Sequence, residues 1–178
     1  MTQTPKKTTR KPRTPQKRVK LPPNPFVHEV LELVSEQKTK AKKVAVLQEY
    51  RDDSLTAILI WNFDERSISA MPEGPVPYKP NDVPVGTDHT SLRREWKQLY
   101  HFVKGGNDRL NNLRRESMFV QMLEGLHPKE AEIICLVKDK RLTDKYKLTK
   151  AHVAEAFPDI IWGVGCLLYT SPSPRDRG

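Results

Sequence analysis

The chain reads as a mostly α protein: a compact, single-domain helical bundle over residues 24–165, with one long proline-rich loop and a disordered basic N-terminal arm, residues 1–23. Three observations predict this. Apolar residues recur at three- and four-residue spacing in one segment after another. A stretch of about twenty residues holds five prolines, and the first twenty residues carry eight cations and no acid.

Residues 1–23 contain five prolines, five threonines and no aromatic residue, so they cannot bury enough surface to offset the entropy of ordering. The folded part begins at "NPFVHEVLELVSEQ", where Asn24 suits a cap and Pro25 the first helical position. Phe26, Val27, Val30, Leu31 and Val34 then form one apolar stripe at helical spacing. After the lysine-rich "KTKAKK", "VAVLQEY" continues helical. Asp53 or Ser54 opens a further helix through "LTAILIWNF", a run so apolar that a strand also fits it; helix is favoured.

"SAMPEGPVPYKPNDVPVGTDH" follows, and its five prolines forbid helix and interior strand alike. A loop of that length in a compact domain is uncommon and often functional. Thr90 or Ser91 opens "LRREWKQLYHFVK", with Leu92, Trp96, Leu99 and Val103 at helical spacing, and Gly105 and Gly106 end it with left-handed backbone. "NLRRESMFVQMLEGL" is the next helix, with Leu113, Phe119, Met122, Leu123 and Leu126 facing inward. "HPKEAEIICLVKDK" is opened by Pro128, and Thr149 caps a last short helix, "KAHVAEAF", ended by Pro158.

Residues 166–178, "CLLYTSPSPRDRG", stand apart. Cys166 to Asp176 can be encoded by a string that resembles the transposon end and adapter of sequencing libraries. The stretch is therefore treated as an adapter-derived tail outside the natural sequence and excluded from fold reasoning. Cys135 then remains as one thiol, which permits no intramolecular disulfide and no multi-thiolate metal site, as in a reducing cytoplasm. It reads as a small buried hydrophobe.

The formal charge of +9 is unevenly placed. Lys6, Lys7, Arg10, Lys11, Arg13, Lys17, Arg18 and Lys20 give the arm +8, whereas residues 21–165 hold 21 basic and 21 acidic residues. Eight cations without an apolar face suit a polyanion rather than a membrane, and no run approaches the ~20 apolar residues of a membrane span. With no aromatic residue to stack on bases, binding by the arm is expected to be phosphate-directed and sequence-tolerant. The competing reading is a tail that only keeps the protein dispersed.

A second candidate is the turn "KGGNDRLNNLRR", which brings Lys104, Arg109, Arg114 and Arg115 near backbone amides and a helix N-terminus. A phosphate would be welcome there; the alternatives are salt bridges to Asp108 and Glu116 or solvated charge. Tyr78 in "PEGPVPYKP" either anchors an extended proline-rich ligand or packs on its own domain, and the second is favoured. The histidines at 28, 89, 101, 127 and 152 show no metal-ligand spacing, and no Walker, Rossmann or nucleophile-elbow motif occurs. No catalytic residue, metal or cofactor is therefore expected. "AEIICLVKDKRL" and "LTKAHVAEAF" are joined by a connection longer than a helix-turn-helix allows.

"MPEGPVPYKP", "LYHFVKGGN", "LRRESMFVQMLEGLHPKEAE", "VKDKRL" and "HVAEAFP" together resemble a small uncharacterised protein family of T4-like tailed bacteriophages, common in marine and cyanobacterial viruses. The resemblance spans roughly residues 26–160 and implies no catalytic residues. The arm is longer and more basic than the family leads one to expect. The sequence thus points to a non-enzymatic phage accessory protein in the cytoplasm of the infected bacterial host. Its arm would hold nucleic acid nonspecifically, while the helical domain meets an unidentified phage or host protein. The alternative is a protein interaction adaptor, in phage assembly or host takeover, with no nucleic-acid role.

Overall fold

The computed structural model describes residues 20–84 and 89–163. Of the arm cations, Lys6, Lys7, Arg10, Lys11, Arg13, Lys17 and Arg18 lie outside the described residues, as does the tail from Cys166 onward. Seven α-helices are described: α1 (Val27–Glu36), α2 (Lys40–Glu49), α3 (Asp53–Phe63), α4 (Leu92–Glu95), α5 (Asn112–Gly125), α6 (Pro128–Lys138) and α7 (Lys150–Ala156). A 3-10 helix, Trp96–Phe102, continues α4, and another, Leu142–Asp144, follows α6. Regular strands are absent among the described residues, where pairing is limited to the isolated bridges Ser69 with Val103 and Thr90 with Leu126.

The apolar run of residues 55–61 is helical, and every one of those side chains is buried. Its α3 is therefore the central helix, packed against α4, α6 and the 3-10 segment, with α1, α2 and α7 forming a second group beside it. Asp52 caps α3 by accepting from the Leu55 amide at 2.7 Å. At its other end the Lys140 ammonium donates to the carbonyls of Trp61 and Asp64, both at 2.7 Å, which satisfies oxygens that a helix end leaves open.

The stripe expected of α1 is buried at Val27, Val30, Leu31 and Val34, but the helix start differs. Asn24 has φ of +58°, so it turns the chain, as asparagine tolerates, and its side chain accepts from Arg93 instead of capping. The first turn is held from within by Glu29, which accepts from the Phe26 amide at 3.1 Å, and from outside by Glu130. Helix α2 also starts earlier than expected, inside the lysine run, because Thr39 Oγ1 accepts from the Lys42 amide.

Glu130, on α6, is fully buried. Its Oε2 accepts from the Val27 amide at 3.0 Å and its Oε1 from the Leu92 amide at 3.1 Å. Those are the first residues of α1 and α4, so one carboxylate caps two helices where their dipoles favour negative charge.

The segment from Leu92 was expected to be one α-helix, yet only its first turn is. Its end is drawn into the isolated bridge: the Ala70 amide donates to Phe102 O at 2.8 Å and the Lys104 amide to Ile68 O at 2.7 Å. A run rich in aromatic residues has weak helix preference to set against that pull. Gly105 has φ of +86° as expected, whereas Gly106 is needed for space, since a Cβ there would sit 1.9 Å from the Tyr100 carbonyl oxygen.

Leu113, expected to face inward on α5, is 80% exposed. Six residues separate it from Phe119, which at 100° per residue places it about 240° away from the buried stripe. Arg115, four before Phe119, takes the inner position.

The proline-rich loop is pinned by a buried cation. Lys138 is 3% exposed and its ammonium donates to Pro72 O, Gly74 O and Asp139 Oδ1, while Asp139 accepts from the Gly74 amide. Tyr78 is half-buried against the core, so it packs on its own domain as favoured. Burial pushes the neighbouring Cys135 thiol up to about 11, which disfavours the thiolate at neutral pH.

Burial also pushes the Glu130 carboxyl up to about 7, against the pull of its two amide donors. A carboxyl raised on folding contributes stability that is complete below its ordinary value and is lost as pH rises through the folded one. Glu130→Gln mimics the protonated carboxyl, keeping one acceptor oxygen and turning a donor group toward the other helix amide, and is expected to cost about 1 kcal/mol or less at pH 5. Urea unfolding of both proteins from pH 5 to 8 should show the gap narrowing as pH rises; a widening gap would contradict the assignment.

Candidate functional site

Lys20, the arm cation within the described residues, is exposed. The chain after it is fastened where the Leu21 amide donates to the Tyr50 hydroxyl at 3.1 Å, beside an open cleft of about 440 Å³ lined by residues 20–25, Glu49, Tyr50, Arg51 and Arg93. Both arginines there are already engaged. Arg51 forks onto Asp159 through two 2.6 Å hydrogen bonds and lies 4.5 Å above the Phe157 ring. That hydrogen bonding raises the Arg51 pKa and holds the Asp159 carboxyl below its usual range. Arg93 pairs with Asp52 at 2.9 Å and donates to Asn24. The root is thus an anchor with balanced charge, and the arm's excess positive charge belongs to its own residues.

The glycine turn separates its four cations into two kinds. Lys104, Arg109 and Arg114 are exposed. Arg115 is 7% exposed and spends its guanidinium on the turn: Nε donates to His101 O, one terminal nitrogen to Asn112 Oδ1, and the other to Asn107 O and Leu110 O. Local acceptors also take two amides there, Gly105 donating to Asp108 and Arg114 to Asn111. Arg115 is therefore the inner brace of this turn, and the outward-facing charge is that of the other three.

A further cluster has no signature in the sequence because its members come from three separate segments. His28 stacks on His127 with ring centroids 4.7 Å apart and on Phe26 at 5.5 Å, and His89 approaches His127 at 5.5 Å. His127 is the cap of α6, its Nδ1 accepting from the Lys129 amide, which requires that nitrogen unprotonated. His28 is buried, and neither ring nitrogen has a hydrogen-bond partner among the described residues. Burial first, then the neighbouring His127, lowers its pKa; burial and His89 do the same for His127. Among the described residues no group of three His, Cys, Asp or Glu is placed to hold a metal ion.

Glu130, Arg115, Lys138 and Lys140 are the ionisable residues that sequence reasoning passed over as structural parts. Arg115 alone had a readable signal, its four-residue step to Phe119. All four lie within the stretch, residues 30–144, matched by a single family model. The chain belongs to DUF6433, a family of unknown function. No curated protein and no solved structure matches it. The DUF6433 match takes in both the proline-rich loop and the glycine turn, whereas the basic arm and α7 fall outside it.

Two outcomes follow from this geometry. Arg115→Lys removes the fork that serves four acceptors and should cost about 1.5–3 kcal/mol, against about 0.5 or less for exposed Arg114→Lys, by urea unfolding. A histidine lowered on folding contributes stability above its ordinary 6.5 and loses it as pH falls through the lower value. Thermal melts of His28→Phe should accordingly fall less steeply below pH 6.5 than those of the parent protein.

Proposed function

We propose that this DUF6433 protein is a non-enzymatic accessory of a T4-like tailed phage, working in the cytoplasm of the infected bacterium and holding nucleic acid nonspecifically through its basic arm. The observation that carries this is the division of charge: +8 over residues 1–20 and zero over residues 21–165. An arm of that composition gains affinity by releasing counterions from a phosphate backbone. The arginines at its root support the reading too, because Arg51 and Arg93 occupy Asp159 and Asp52, so these two acids do not neutralise the arm.

The phage origin rests on the ordered phrases from "MPEGPVPYKP" to "HVAEAFP", and the adapter-like tail fits recovery from bulk environmental DNA. Within this reading the helical domain carries the arm to a phage or host protein. No helix among the described residues is long and apolar enough to cross a membrane.

Fluorescence anisotropy with duplex DNA, single-stranded DNA and RNA across a salt series tests the proposal. If all eight cations meet duplex phosphates, the log–log salt slope contributed by the arm is about −7. Changing those eight residues to Gln in the full chain should remove that contribution. Unaltered binding would move the function off the arm, and no binding by the parent protein at moderate salt would leave the adaptor reading in its place.

A further inference from the structure

Two lysine-rich segments that are a hundred residues apart in sequence meet at one end of the fold. "KTKAKK", residues 38–43, leads into α2, and "KYKLTK", residues 145–150, leads into α7. The Lys43 ammonium joins them, donating to Val34 O at 2.9 Å and to Lys147 O at 2.7 Å, and the Lys147 amide donates to Ser35 Oγ. Helices α2 and α7 pack directly on each other. The register between the segments is therefore set by the fold.

Lys38, Lys40, Lys42, Lys147 and Lys150 are exposed around half-buried Lys43. Among the described residues two lysines of these segments are ion-paired, Lys40 with Glu155 at 3.0 Å and Lys145 with Glu132 at 2.7 Å. In a domain whose charges sum to zero, the lysines left once those two pairs are set aside, Lys38, Lys42, Lys43, Lys147 and Lys150, form a concentrated positive patch. The crowding is felt locally: Lys43 is lowered by burial and by Lys147, and His152 by burial, Lys43 and Lys40. The first turn of α2 holds no acid, and three of these lysines stand at the helix end where positive charge is disfavoured.

We infer that this α2–α7 face is a second phosphate-contacting surface, built to lie along a nucleic-acid backbone independently of the arm. The inference rests on the nucleic-acid reading above and deepens it. Every cation of the patch is a lysine, a point charge without the bidentate fork that reads a particular group, so the contact is with successive phosphates and indifferent to sequence. The exposed large apolar side chains among the described residues, Ile68, Val83, Leu113 and Ile161, all lie outside the two lysine segments, which leaves nothing there to enter a lipid surface.

Placement relative to the arm agrees. The arm is fastened at Tyr50, just past the C-terminal end of α2, and the patch begins at its N-terminal end. Ten residues of helix separate them by about 15 Å. That is under half of the roughly 34 Å of one duplex turn, so one short duplex is long enough to meet both.

The test uses the full chain with Lys38, Lys40, Lys42 and Lys147 changed to Gln, in anisotropy titrations against duplex DNA over a salt series. Lys43 is kept because its bonds hold the register. The salt slope should become shallower by about 3–4 at unchanged melting temperature, and by about half that in a Lys42→Gln, Lys147→Gln pair. A control with Arg66, Lys79 and Lys97 changed to Gln should retain the parent slope. A parent-like slope in the fourfold variant, or an equal loss in the control, overturns the inference while the arm reading stands. A parent protein that binds no nucleic acid overturns both.

Discussion

One buried carboxylate orders the arrangement of this fold. Glu130 reaches from α6 to the first amides of α1 and α4, which otherwise have no intrahelical acceptor. Because α4 is a single turn and α1 a short helix, neither has much cooperative strength of its own, and both depend on tertiary contacts for definition. The Glu130 bonds fix where α1 begins, hence where α2 is laid beside it and where the two lysine segments meet. The histidine stack lies over the same junction, with His127 capping the helix that carries Glu130.

Other inward-turned cations are used in a similar way. Lys138 ties the proline-rich loop to the end of α6, Lys140 closes the end of α3, and Arg115 holds the glycine turn, each by donating to backbone carbonyls. Long connections without regular pairing leave many such oxygens inside, and a cation with several donors satisfies more of them than a neutral side chain does. Part of the balanced charge of the domain is thus internal bracing. The charge concentrated outside this bracing is in the arm, the three exposed cations of the glycine turn and the α2–α7 lysines.

The helical class, the buried α3 and the loop pinned between α3 and α4 were legible because period and proline content are local properties. Helix starts were less so. Asn24 has the composition of a cap, but the carboxylate that does the work is over a hundred residues away, and no local pattern announces it. Leu113 was misplaced by counting it with an apolar set whose period excludes it. Arg115 was grouped with its neighbours by charge, although its step to Phe119 marks the inner face. The arm was readable from composition alone, whereas the lysine face needs two distant segments in register and appears only in the fold. The DUF6433 match covers the bracing residues and one of those two segments.

The account holds that the chain meets nucleic acid at its arm and at the α2–α7 face and nowhere on the proline-rich loop. Amide chemical-shift mapping of the isotope-labelled full chain during addition of a short DNA duplex addresses this directly. Shifts confined to the arm and to residues 38–43 and 145–150, fading as salt is raised, are the predicted result. Shifts centred on the proline-rich loop, or none at saturating duplex, would contradict it.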